Sequence, residues 1–169
     1  MFLGASVSAY TGTDHGAYPH QQMARLGAKA AATPGVDTVA LVDIGRFGWA
    51  FPGEVVDLVG LTDSELAQRE GTHGNKTWDE AWFRGKQADL LIARSATLIA
   101  DPLPGPLVLG APERPMVRSV LEHGGYQMVR VEQHTEGQWI LIFARDGLVL
   151  PEAIWGPPTP KTLRRLLGG

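Results

Sequence analysis

The chain reads as an α/β domain: a mixed, mainly parallel sheet of about five strands with helices packed on it. Three observations lead there. The apolar runs at 38–42 and 54–59 run into Asp or Gly, as buried parallel strands do where the backbone turns at a carboxyl edge. Segments of helical period lie between such runs, the order of an α/β fold. Finally, two apolar or alternating runs, 126–133 and 138–144, flank HTEG and read as a β-hairpin, which makes the sheet mixed.

Taken in order, residues 1–20 are an N-terminal loop segment, 21–145 the α/β domain, and 146–169 a proline-rich tail with a short C-terminal helix. MFLGASVSAY at the start lacks the basic opening and full apolar core of a signal peptide, so a loose or edge-packed N-terminus, or the stub of a longer protein, is expected. His15 and His20 have no carboxylate at helical spacing and read as solvated loop residues. Met23, Leu26 and Ala30 share one face of a helix over 21–32, stopped by Pro34 and Gly35. Strands follow near 38–43 and 54–59, joined by IGRFGWAFPG, whose three glycines and one proline predict a tight loop.

Thr62 or Asp63 can cap a helix that begins at Ser64. After the break GTHGN, Trp78, Ala81 and Trp82 mark one face of a second helical piece over 77–84, for core packing, an interface or sugar stacking. ADLLIA supplies a strand at 89–93, while the three prolines of 97–110 leave loop and edge strand both open. Val117, Val120 and Leu121 predict a helix over 112–123 that ends at Gly124 and Gly125. Strands at 126–132 and 138–144 complete the sheet, and KTLRRLLGG closes the chain as a packed or partner-binding helix.

Composition narrows the chemistry. A net charge of −3 over 169 residues gives no basic footprint, so nucleic acid is not expected as a partner. Without cysteine there is no disulfide, thiolate or cysteine-zinc chemistry. No GxGxxG opens a helix after the first strand, and P-loop, GxSxG, HExxH and calcium-loop patterns are absent, so no cofactor or metal is expected. No stretch reaches the roughly 18 apolar residues of a membrane span.

The carboxyl edge is where an open α/β sheet places its binding groups. Asp43, Arg46, Trp49, Asp57, Asp63, His73 and Lys76 are accordingly the candidate ligand-binding rim. Asp63 reads equally as a helix cap, and Asp57 as a fastener of the GLTD turn. No catalytic residue is singled out.

Several segments recur together: a strand ending in a glycine-containing turn, VVDLVGLTD, the turn from His73 to Lys76, an aromatic-rich helix, and ADLLIA. This combination, over residues 21–131, resembles the C-terminal extracytoplasmic region of multi-spanning GT-C type membrane glycosyltransferases. Those are the bacterial mannosyl-, arabinofuranosyl- and aminoarabinosyl-transferase-like proteins that use polyprenyl-phosphate sugars. Ala88-Asp89 stands where that group commonly has Pro-Asp. The resemblance implies an extracytoplasmic, non-catalytic accessory domain assisting carbohydrate or acceptor recognition. Its implied partners are a membrane-spanning glycosyltransferase subunit or domain and a carbohydrate or lipid-linked sugar. The group's catalytic carboxylate lies in a loop near its membrane domain, and no position here corresponds to it, so no glycosyl transfer by this chain alone is expected. An independent small enzyme using an Asp/His rim, and a purely structural module, are the alternatives.

Overall fold

A computed structural model describes residues 19–72, 75–76, 79–96, 108–135 and 138–158. Element order is α1 (Pro19–Ala31), β1 (Thr38–Leu41), α2 (Gly45–Ala50), β2 (Glu54–Asp57), α3 (Ser64–Ala67), β3 (Gly71–Thr72), β4 (Asn75–Lys76) and α4 (Glu80–Gly85). β5 (Leu90–Ala96), β6 (Val108–Leu109), α5 (Glu113–His123), β7 (Tyr126–Thr135), β8 (Gln138–Arg145) and α6 (Glu152–Trp155) follow. The expectations for 1–10, for the 97–107 part of the proline-rich stretch and for the C-terminal KTLRRLLGG helix lie outside the described residues, as do His73 and Trp78.

The fold is the mixed α/β sheet with packed helices that the sequence predicts. Its strand order is β2-β1-β5-β8-β7, with β6 on the free end of β5, and β3-β4 form a separate two-stranded ribbon. β1 pairs parallel with both β2 and β5, whereas β5–β6, β5–β8 and β7–β8 are antiparallel. The expected mainly parallel character is therefore confined to one half: three of the five pairings in this six-stranded sheet are antiparallel, because the β7–β8 hairpin and β6 both join through β5. The β7–β8 hairpin joins the sheet through β8, which pairs antiparallel with β5 along its whole length.

Both faces are covered, so the central strands are apolar on both sides. Val39, Leu41, Leu90, Ile92, Ile140 and Ile142 pack with Met23, Leu26, Phe47 and Phe51 in one layer. Ala40, Val56, Leu91, Ala93, Leu141 and Phe143 pack with Leu66, Trp82, Phe83, Met116, Val117 and Val120 in the other. Thus α1 and α2 cover one face, and α3, α4 and α5 the opposite one. The buried stripe of α5 is Met116, Val117 and Val120; Leu121, expected on the same face, is 37% exposed at its margin. Trp82 is core, only 7% exposed.

The stretch expected as a glycine-rich loop contains a helix. Phe47 in α2 and Phe51 at its C-cap bury in the layer of α1 with their rings 5.5 Å apart, and Gly48 N–H donates to Ile44 O at 2.8 Å. Gly27 makes this packing feasible, since a Cβ there would stand 2.5 Å from Phe47 O. Glycine lowers intrinsic helix propensity, but burying two phenylalanines outweighs that penalty. The segment after β8 also returns to the domain. Trp155 is 2% exposed, its indole N–H donates to Thr33 Oγ1 at 2.7 Å, and Leu148, Leu150 and Ile154 lie against the same core layer.

Candidate functional site

The chain leaves β1 through α2 on one face and reaches β2; it leaves β2 through α3 and α4 on the other face and reaches β5. β5 is followed by β6 and α5, and α5 also lies on that second face, so the segments after the neighbouring strands β1 and β5 cover opposite faces of the sheet. A crevice therefore opens at the carboxyl ends of β1 and β5, the switch point where open α/β sheets place ligands. Strand lengths deepen it. β1 pairs with β5 only as far as Ile92, β5 continues to Ala96, and β6 takes the vacant edge opposite Ser95 and Ala96. The result is an open groove of about 680 Å³ between Val42–Asp43 and Val108–Gly110, with Arg94, Glu113 and Gln138 among its polar lining.

Arg94 lines this groove between Asp43 and Glu113. Its Nη1 donates to Asp43 Oδ2 at 3.4 Å, and its Nε stands 3.6 Å from Glu113 Oε1, too far for a hydrogen bond. That Nε is shielded from solvent and has no hydrogen-bond partner. The Arg94–Asp43 pair, this open and this exposed (43% for Arg94, 33% for Asp43), contributes about 0–1 kcal/mol to stability. The fold gains little from the Asp43 pairing, which leaves the arginine's Nη donors available.

Glu113 is different, only 3% exposed at the first position of α5. Burial pushes its carboxyl above the ordinary glutamate range, and the neighbouring Arg94 offsets this only in part. Gly110 makes room for it, because a Cβ at that position would overlap Glu113 Oε2.

Of the candidates named from sequence, Asp43 lines the groove. The fully buried Asp57 carboxylate accepts from Val59 N at 2.9 Å, Thr62 N at 2.7 Å and Thr62 Oγ1 at 3.3 Å, and so holds the turn after β2. Asp63 is the N-cap of α3, accepting from Leu66 N at 2.8 Å and pairing with Lys86 at 2.9 Å. Burial by itself would raise the Asp63 carboxyl, but the Leu66 N–H and Lys86 together hold it below the usual aspartate value. Lys76 Nζ donates to Ala67 O and Arg69 O, closing the end of α3. Arg46 and the 94% exposed Trp49 lie on α2, which carries the chain back toward the start of β2 and belongs to the opposite layer from Asp63 and Lys76. These six described residues therefore do not form one rim.

The sequence reading passed over Arg94 and Glu113. Arg94 carried a signal, being a charged residue that interrupts the apolar run LLIA at the carboxyl end of a buried strand. Glu113 carried none, since an acidic residue in a first helical turn is ordinary.

Residues 10–151 match the family described as Domain of unknown function (DUF8728), a span that includes every residue lining the groove. The chain belongs to this family. No curated protein and no solved structure matches it. Among the described residues of this DUF8728 domain, no helix is long and apolar enough to cross a membrane, and no group of three or more His, Asp or Glu side chains is arranged to hold a metal ion.

The buried carboxyl makes a pH prediction for the DUF8728 domain. A folded-state value raised above the unfolded one contributes stability that is full below the ordinary glutamate range and is lost as pH rises through the raised value. Thermal melts of wild type and Glu113→Gln between about pH 4 and pH 8 are expected to show wild type losing stability relative to the variant as pH increases. Parallel curves across that range would contradict the assignment.

Proposed function

We propose that this domain is a non-catalytic carbohydrate-recognition module of the cell envelope, acting beside a membrane-spanning, polyprenyl-phosphate-sugar-dependent glycosyltransferase. The observation that carries this reading is the groove at the switch point between β1 and β5, where Asp43, Arg94, Glu113 and Gln138 present hydrogen-bonding groups beside apolar surface. Carboxylates accept hydrogen bonds from sugar hydroxyls, and guanidinium and amide groups donate to them. Leu61 and Val108, 61% and 59% exposed, offer apolar surface to the C–H face of a sugar ring. Binding pockets commonly combine a few convergent polar groups with an apolar wall in this way.

The resemblance to GT-C type enzymes supports the same reading and would place the domain on the extracytoplasmic face, over the membrane-embedded site of its partner. The expected role is to hold acceptor or glycan while the partner carries out transfer. A titration of the isotope-labelled chain with short mannose and arabinofuranose oligosaccharides, followed by amide NMR, tests it. Shifts concentrated at Asp43, Arg94, Ser95 and Gly110 are expected. An unchanged spectrum at millimolar sugar would remove the basis for the proposal.

A further inference from the structure

We infer that the groove takes a neutral, hydroxyl-rich sugar through a vicinal hydroxyl pair seated across Asp43 and Arg94, not the phosphate of a lipid-linked donor. This rests on the carbohydrate reading above and narrows it to the uncharged, acceptor-like class of ligand.

The argument starts from how loosely the arginine is held. Lys29–Glu132, Arg69–Asp79, Arg84–Glu80 and Arg145–Asp89 close to between 2.7 and 3.2 Å. Arg94 instead stands 3.4 Å from Asp43 and 3.6 Å from Glu113; Arg118–Glu122 is longer still, at 3.9 Å, but its side chains are both well exposed on α5. Among the described residues, its hydrogen bond to Asp43 is the one its guanidinium makes. The Nη N–H donors not spent on Asp43 are thus left beside the groove, next to a carboxylate with acceptor capacity to spare.

Charge then decides which ligands fit. A phosphate or carboxylate drawn to Arg94 would be set against the Asp43 carboxylate. An ammonium group drawn to the carboxylates would be set against Arg94. Interactions of like charges at these separations oppose each binding mode. A hydroxyl carries no such conflict, since it accepts from an arginine N–H and donates to a carboxylate oxygen at once. Two adjacent hydroxyls can bridge the Asp43–Arg94 pair with donors matched to acceptors.

The test compares four probes on the intact chain: methyl mannoside, a deoxy analogue lacking one member of the vicinal pair, a mannose phosphate and glucosamine. Methyl mannoside is expected to bind tightest, the deoxy and both charged probes about tenfold more weakly. Asp43→Asn and Arg94→Lys, which keeps a cation beside the buried Glu113 but loses the guanidinium fork, should each weaken methyl mannoside by about tenfold while melting stays close to wild type. Tighter binding of mannose phosphate or glucosamine would overturn the neutral-ligand inference and leave the carbohydrate reading standing. So would methyl mannoside binding that neither substitution affects, because the sugar would then sit elsewhere. If none of the four probes binds, the carbohydrate reading falls together with the inference.

Discussion

Alanine at Asp89 is expected to destabilise the domain by about 3 kcal/mol and to lower its melting temperature by roughly 6–12 °C. Asp89 is 5% exposed, immediately before β5. Its Oδ2 accepts from the backbone N–H groups of Asp37 and Thr38 at 2.8 and 2.9 Å, and its Oδ1 pairs with Arg145 at 2.8 Å. Its own N–H donates to Thr38 O, and its carbonyl accepts from Arg145 N. One residue thereby ties the entrance of β1 to β5 and to the end of β8. Removing the carboxylate strands two partly buried donors, each costing about 1–3 kcal/mol. Arg145 is 48% exposed and can return to water, which keeps the loss below that of breaking a fully buried pair. Asp89→Asn retains one acceptor oxygen and should recover part of the loss. Thermal and denaturant melts that overlay wild type for the alanine variant would show that this clasp contributes nothing.

Asp57→Ala is expected to be at least as damaging, about 3–5 kcal/mol, because hydrogen bonds to a charged group contribute about 1.5–3 kcal/mol each. The Val59 and Thr62 amides both lose their acceptor, and so does the Thr62 hydroxyl. The effect extends to the groove. Gly60, at φ +78°, turns the chain within this loop, and Val59 and Leu61 form part of the groove's wall. Sugar binding should therefore fall together with the melting temperature in Asp57→Ala, whereas Asp43→Asn should lower binding alone. Measuring melting and binding side by side separates the turn fastener from the ligand contact. Loss of binding at unchanged melting in Asp57→Ala would assign Asp57 to the ligand after all.

The difference between these two aspartates shows how much of the site could be read from sequence. Both end or follow an apolar strand, and residue type and position predict a carboxyl-edge location for each. Position does not say where a carboxylate turns next. Asp57 is followed by a tight turn whose amides face back toward it, so its oxygens are filled locally. Asp43 is followed by α2, whose packing against α1 leaves Asp43 to face a strand 51 residues away in sequence. Asp63 was legible as a cap from Asp-Ser-Glu-Leu, and the structure places it there. For α2 itself, the glycines predicted a loop, and the helix depends on a partner helix that no local window contains.

The sequence by itself determined the class of fold, the helices α1 and α5, the hairpin of β7 and β8, and the apolar strands that both helical layers cover. Those follow from period and turn chemistry, which act over a few neighbouring residues. Only the tertiary structure decided that β5 lies beside β1, that β6 fills the edge β1 leaves vacant, and that Arg94 meets Asp43 and Glu113 there. It also decided that Arg46 and Trp49 belong to the layer opposite Asp63 and Lys76. Strand order is set by which apolar faces bury one another across long separations in the chain. A one-residue change of face moves a side chain to the other side of the sheet, so the membership of a site is fixed by packing and not by spacing.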